Sequence, residues 1–507
     1  MDEQLPAQAA NPLRITRKVV PGEHEPVSLN LFNVTDHELL VRVQFDALTN
    51  GVVVVPHRAV GVPTSLGEVA WDAMPELDES GTLTIPSLAS RELWLDVDLG
   101  AAKPGIHQVK LRLKALNGAG VLDAPTHPHS VPPPETAIEI TLQVADFAMA
   151  APGDFRLCTW AAPEAAQLPD LLAHGNNVFT ASLPAAKYDA QGHLAASDYN
   201  ALDPVLSRLR GKDVVLMLMG IPSLHGESGS AAYRGDLKTF LDELVTHMAG
   251  AGFDIKHFAL YPFDEPGGVG WTLVNPLVEF GKQVRAINPD LMLYVDGGGE
   301  LPMFQAMAPY IDIWSPSIYM LAEKTPVMDV VRQSGKLHWS YNCAYGYSRP
   351  AGANLKNMNL VSDYRNAALF ALRHNATGIG FWCYNMGGDP WGRIDLEYML
   401  VYPGRTGPVT SRRWEAVREG IEDYRIVTAL RKCLSEDGGA KVPAAVRTRI
   451  ERLLQVSLPG LVDQSYEEMT RGLGRNVIDA SNNDATSGAF RSEMMECVEA
   501  VAGGKAK

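Results

Sequence analysis

The chain is poor in cysteine and in long apolar runs, and each shortage narrows what it can be. Its five cysteines (Cys158, Cys343, Cys383, Cys433, Cys497) are odd in number and widely spaced, with no C-x-x-C pair. A disulfide framework is not expected, and three of them lie in apolar strand-like runs where a thiol packs as a small hydrophobe. A reducing compartment fits that usage slightly better. No stretch approaches the roughly 20 apolar residues that a spanning helix needs, so no membrane span is expected. Basic excess is missing too. Lys and Arg number 44 against 59 Asp and Glu, and the net charge of −15 argues against nucleic acid or an anionic membrane as partner. Met1-Asp-Glu-Gln-Leu-Pro-Ala7 carries neither the basic start nor the apolar segment of a secretory signal. The compartment stays open between residence inside the cell and export with the signal trimmed. Metal-binding patterns are scarce as well. His127 and His129 form a pair in a proline-rich loop, but no third or fourth ligand follows at metal-site spacing, so no metal and no cofactor are expected.

What is present divides the chain into three. A length of 507 residues is too long for one core and indicates several domains. Residues 1–148 alternate polar and apolar with a period of two, clearest in Val27–Phe32, Leu40–Phe45, Glu92–Val97, Val109–Leu113 and Ile138–Val144. Short strands separated by Gly, Pro and Asn turns predict a β-sandwich, with Pro125–Pro134 as an exposed loop and Trp94 in the core. From 149 to 435 short apolar runs alternate with helical ones. The strand candidates are Phe155–Trp160, Asn177–Leu183, Asp213–Gly220, His257–Asp264, Met292–Asp296, Ile311–Tyr319, Leu337–Cys343 and Gly378–Asn385. Helical stretches such as Leu237–Ala251, Pro276–Ile287, Val361–Arg373 and Ser411–Leu434 separate or follow them, and Pro276 suits a first helical turn. That repeat predicts a (β/α)8 TIM-like barrel. Residues 436–507 read as a short, polar helical segment, best at Pro443–Leu454, with Gly503–Lys507 as a frayed tail. This segment is a candidate homodimer contact.

Barrel chemistry is carried by the C-terminal tips of the strands. The fourth run, Phe258-Ala-Leu-Tyr-Pro-Phe-Asp-Glu-Pro266, ends in two adjacent carboxylates, Asp264 and Glu265. The fifth tip supplies Asp296-Gly-Gly-Gly-Glu300. The sixth supplies Tyr319, the seventh Tyr341, and the eighth Trp382 and Tyr384, with Asp389 and Trp391 beyond. Aromatic side chains suited to a pyranose face are plentiful, and carboxylates on the sixth and seventh tips are absent. A conventional retaining glycosidase needs two acids about 5 to 5.5 Å apart across the scissile bond, usually from different strands. Adjacent residues diverge to opposite faces instead. Glu265 then protonates the leaving oxygen while Asp264 holds a neighbouring group such as a 2-acetamido. That is the division of labour in substrate-assisted hydrolysis, where the acetamide carbonyl attacks and an oxazoline forms. Glu265 needs a raised pKa for this, which a neighbouring anion and aromatic walls would supply. An isolated Asp-Glu pair is ordinarily solvated or caps a helix. The position of this one, closing an apolar strand ahead of Pro-Gly-Gly, favours chemistry. Asp296 is a candidate for sugar hydroxyls, or a cap for the turn at Gly297–Gly299, which lacks the spacing of a phosphate loop.

Asp264-Glu265-Pro266 resembles the paired acids of glycoside hydrolase family 123. So do Ala376-Thr-Gly-Ile-Gly-Phe-Trp-Cys-Tyr-Asn385, Leu400-Val-Tyr-Pro-Gly404 and Arg413-Trp-Glu-Ala-Val-Arg-Glu-Gly-Ile-Glu-Asp-Tyr424. The resemblance covers about residues 150–435, and the upstream sandwich fits the same plan. It implies an exo-acting β-N-acetylgalactosaminidase using substrate assistance, with Glu265 as general acid/base and Asp264 orienting the acetamide. The charged helix with Arg418, Glu422 and Asp423 is implied to be structural. The expected function is therefore a retaining glycosidase releasing β-linked GalNAc from a glycan or glycoconjugate. Tyr319, Tyr341, Trp382, Tyr384, Trp391 and Asp296 are its candidate substrate contacts. The alternatives are action on β-GlcNAc, an inverting glycosidase of a non-acetamido sugar with Asp296 or Asp389 as base, and a non-catalytic carbohydrate-binding barrel.

Overall fold

A computed structural model describes residues 12–64, 67–117, 135–153, 155–342, 356, 360–393, 396, 398–435, 442–471 and 481–505. The loop at 125–134, with His127 and His129, lies outside the described residues, as does Cys343.

The N-terminal region is built from two antiparallel-rich sheets. One orders Leu13–Val19, Glu135–Val144, Gly105–Ala115, Leu39–Leu48 and Thr82–Ile85; the other orders His24–Phe32, Ser90–Asp98 and Val53–Arg58. The period of two does what the pattern predicts. Leu93, Leu95 and Val97 of one sheet share a core with Val109, Leu111, Ile140 and Leu142 of the other. Trp94, expected in that core, projects from the opposite face because its neighbours Leu93 and Leu95 point inward. That outer face also carries Glu92 and Asp96, which pair with Arg412 and Arg418 of the long helix Arg412–Lys432.

After Phe155 nine short strands form one all-parallel sheet. Its order is Leu337–His338, Ile313–Ser315, Met292–Asp296, Phe258–Tyr261, Val215–Met219, Val178–Ser182, Arg156–Cys158, Gly378–Phe381 and Tyr341–Asn342. The two ends of that order are halves of one segment, 337–342. Trp339 N–H donates to Trp314 O (2.7 Å) on one side, and Ser340 N–H to Gly378 O (3.1 Å) on the other. The sheet thus curls back on itself. Alternate residues of its strands bury opposite ways. Val215, Met217, Ala259, Tyr261, Tyr294 and Trp339 gather in one cluster, while Leu216, Leu218, Phe258, Leu260 and Leu293 meet the surrounding helices.

The elements depart from the sequence reading at several ends. The fourth strand stops at Tyr261, because Pro262 cannot donate to the ladder, and Asp264 and Glu265 stand on the turn beyond it. Ile318–Leu321 is helical, so Tyr319 sits on a helical turn and not on a strand tip. The helix containing Pro276 begins at Trp271, placing the proline inside it instead of in the first turn. Helix Ser481–Lys505 runs through Gly503 and Gly504, where a frayed tail was expected.

One helix ties these regions together. Arg413 is fully buried against Asp72 on strand Val69–Met74 of the N-terminal β region (Nη2 to Oδ2 2.8 Å), and Glu422 accepts the backbone N–H of His24. Asp423 binds both Arg365 (2.9 Å) and Arg491 (3.0 Å) of the C-terminal helix. Gly420 is required here, since a Cβ would lie 2.1 Å from Arg365 O. The charges of this helix are paired within the protein, with partners in the N-terminal β region, at Arg365 beside the parallel sheet and in the C-terminal helix.

Candidate active site

The geometry begins with a strained turn. Glu265 adopts φ 40° and ψ 52°, a left-handed conformation that costs a non-glycine residue about 1–3 kcal/mol and that tends to persist at functional positions. Three hydrogen bonds hold it. Its N–H donates to Asp296 Oδ1 (3.0 Å), and its carbonyl accepts from Gly268 (3.0 Å) and Val269 (3.3 Å) N–H. The glycines of the fifth tip allow that turn to lie flush against them. A Cβ on Gly267 would lie 2.2 Å from Gly298 O, and one on Gly297 (φ 88°) would lie 3.0 Å from Glu265 Cβ. Close backbone approach explains Gly297 and also Gly299, where a Cβ would lie 3.0 Å from Gly267 Cα.

The side chains of the pair have separate anchors. Tyr341 donates its hydroxyl to Glu265 Oε1. Tyr261 Oη lies 2.5 Å from Asp264 Oδ1 and 2.7 Å from Asp296 Oδ2. Glu265 is half-buried and Asp264 is exposed, while Asp296 is only 5 % exposed. Burial pushes the Asp296 carboxyl up to about 8, and the nearby charge of Asp264 adds to this against the hydrogen bonds from Tyr261 and Glu265 N–H. Burial and the Asp296 charge also raise the Tyr261 phenol, which stays protonated.

Aromatic rings extend the site. Trp160 stands edge-on to Tyr341 (centroids 5.6 Å, 69°) and to Trp382 (5.9 Å, 71°), and Trp382 stacks with Tyr398 (6.4 Å, 28°). Gly380 makes room for Trp160, since a Cβ there would lie 2.8 Å from the indole.

Of the residues expected at the site, Asp264, Glu265, Asp296, Tyr341 and Trp382 are brought together. Tyr319 is half-buried on its helical turn. Two are placed elsewhere. Tyr384 is fully buried and donates its hydroxyl to Asp170 Oδ2 (2.7 Å), which also accepts from Trp414 Nε1 (3.0 Å). Trp391 packs on Tyr402 and donates to Pro403 O (2.9 Å), in the small sheet joining the sandwich to the parallel-sheet region. Asp296 has both oxygens engaged by the protein, which removes it as a contact for sugar hydroxyls. Asp389 accepts Trp391 N–H (3.0 Å) in a local turn. Sequence reasoning missed Tyr261 and Trp160. Both lay within the quoted strand runs, Tyr261 three residues before Asp264, and the period-two alternation of the fourth strand could have singled out Tyr261.

Residues 217–430 match the model of the glycoside hydrolase 123 catalytic domain. The fold is similar to that of a family 123 glycoside hydrolase from Clostridium perfringens, described for glycolipid glycan hydrolysis, with 12% identity, a TM-score of 0.62 and 95% of each chain covered. A xyloglucanase of family 5 from Bacteroides ovatus is a more distant likeness, with 8% identity, a TM-score of 0.29, and 82% of this chain and 99% of that one covered. No curated protein matches. The class that the sequence match defines is the glycoside hydrolases. Within that class residues 217–430 are similar to the catalytic domain of family 123, and a β-rich N-terminal region stands ahead of them.

Proposed function

We propose that residues 149–435 form a (β/α)8 catalytic barrel and that the protein is a retaining β-N-acetylgalactosaminidase working by substrate assistance. The observation that carries this is the separate anchoring of two adjacent acids, Glu265 by Tyr341 and Asp264 by Tyr261. Glu265 donates its proton to the glycosidic oxygen as the C1–O bond breaks. The acetamide carbonyl oxygen of the sugar attacks C1 and closes an oxazoline. Positive charge develops on the acetamide nitrogen, and Asp264 accepts its N–H through Oδ2, since Oδ1 is engaged by Tyr261. Water then adds to C1, Glu265 takes its proton, and the anomeric configuration is retained. Two inversions at one carbon require this outcome. Trp382 and Trp160 are the proposed contacts for the ring, with Tyr341 beside Trp160. The inverting alternative is disfavoured because Asp296 is enclosed and Asp389 is committed to a surface turn.

Aryl β-glycosides test the reading. Hydrolysis is expected with 2-acetamido sugars, GalNAc ahead of GlcNAc, and not with the 2-hydroxyl counterparts; a thiazoline analogue should inhibit strongly. Glu265→Gln should lower turnover by orders of magnitude with folding intact, and Asp264→Asn should lower it as well. Cleavage of the 2-hydroxyl galactoside at a comparable rate would refute substrate assistance.

A further inference from the structure

Tyr261 has one hydroxyl hydrogen and two carboxylate oxygens within reach, Asp264 Oδ1 at 2.5 Å and Asp296 Oδ2 at 2.7 Å. A phenol donates once, and an ionised carboxylate only accepts. With both acids ionised, one oxygen would face a lone pair on Tyr261 at hydrogen-bond distance. The contact is attractive only if one carboxyl carries a proton. Exposure decides which. Asp264 is open to solvent, whereas Asp296 is enclosed by Tyr261, Tyr294, Cys158 and the Glu265 backbone. An anion is expensive in the enclosed position and cheap in the open one.

We propose that Asp296 acts as a neutral positioning residue whose single proton orders both members of the acid pair. Its Oδ2–H donates to Tyr261 Oη, the Tyr261 hydroxyl donates to the Asp264 carboxylate, and its Oδ1 accepts the Glu265 N–H. One buried acid thereby orients the anion that faces the acetamide and holds the left-handed backbone of the proton donor. An ionised Asp296 would reverse the first link and add a negative charge beside Asp264 and Glu265. The proposal rests on the reading of that pair as the reacting acids, but the proton assignment stands on the contacts alone.

Asparagine is a close mimic of a neutral aspartic acid. Its carbonyl can accept the Glu265 N–H, and its amide can donate to Tyr261. On aryl β-GalNAc, Asp296→Asn should keep kcat within about tenfold of wild type, whereas Asp296→Ala should lose about a hundredfold through misplacement of the pair. Circular dichroism would confirm folding of both. A pH profile adds a readout that a purely structural role would not move. The groups facing Asp296 are Tyr261, Tyr294, Cys158, Asp264 and Glu265, and burial keeps the first three protonated well above neutrality. Wild-type kcat should therefore fall as Asp296 ionises near about 8, and Asp296→Asn should lack that limb. The infrared difference between wild type and Asp296→Asn, recorded near neutral pH without substrate, should contain a protonated-carboxyl stretch. Its absence, or an Asp296→Asn variant as inactive as Asp296→Ala, would overturn the proposal. If the stretch is present and wild type cleaves no N-acetylhexosaminide, the proton assignment is upheld and the proposed function fails.

Discussion

Arg413→Met probes the helix that joins the three regions. Arg413 and Asp72 have side chains 0 % and 1 % exposed. The guanidinium Nε lies 3.1 and 3.2 Å from the two Asp72 oxygens; Nη2 donates to Oδ2 (2.8 Å) and to Met399 O (2.7 Å). Tyr402 adds a hydroxyl to Asp72 Oδ2 at 2.6 Å. Methionine fills much of the arginine stem but removes the charge, leaving Asp72 as an enclosed anion supported chiefly by that phenol. Removing one partner of such a pair costs about 3–5 kcal/mol, against a total stability of roughly 5–15 kcal/mol for an ordinary domain. The loss should appear in the first transition of urea unfolding followed by tryptophan fluorescence. Asp72→Asn added to Arg413→Met neutralises the stranded charge and should recover more than half of it. A single-variant loss below about 1 kcal/mol would refute the reasoning, because the pair would then be solvated. A double variant less stable than the single would refute it too.

The other expectations bear on the site. Gly297→Ala should reduce kcat/KM by at least about tenfold with unchanged circular dichroism, because its backbone is left-handed and the new Cβ presses on Glu265 Cβ. Tyr341→Phe removes the hydroxyl from Glu265 and should cost about 10- to 100-fold in kcat/KM, the worth of a hydrogen bond to a charged group. Tyr384→Phe should leave KM unchanged and lower stability by about 1 kcal/mol through the lost bond to Asp170. Asp296 has a folded-state pKa raised from 3.8 to about 8, so the native state binds the extra proton and is stabilised most at low pH. That stability should fade as pH rises from about 4 through about 8. Urea midpoints of wild type should accordingly drop relative to Asp296→Asn toward about pH 9 and converge near about pH 4.

The strands were legible because parallel strands bury both faces and leave apolar runs such as Phe258–Tyr261 and Met292–Asp296. The acid pair was legible because it ends one of those runs. Orientation was harder to read. Tyr384 and Trp382 are two residues apart in one motif, yet one packs against Asp170 and the other stands beside Trp160, a difference made by chain direction after the strand. Asp296 at a strand tip resembles a ligand in sequence, and only the returning turn at Glu265 reveals that both its oxygens are occupied. Trp391 lay in an aromatic-rich loop that gives no sign of its contact with Pro403. Ends set by tertiary packing, including the helix that starts five residues before Pro276, were also hidden.

The most direct measurement compares aryl β-GalNAc substrates whose N-acetyl group carries zero, one, two or three fluorines. Each fluorine weakens the carbonyl oxygen as a nucleophile while barely altering the size of the group. If the sugar supplies its own nucleophile, log kcat/KM will fall steeply across the series, and the fall will persist in Tyr341→Phe. A flat series would mean that the acetamide takes no part in bond formation, and the assignment of Asp264 as its steadying partner would be wrong.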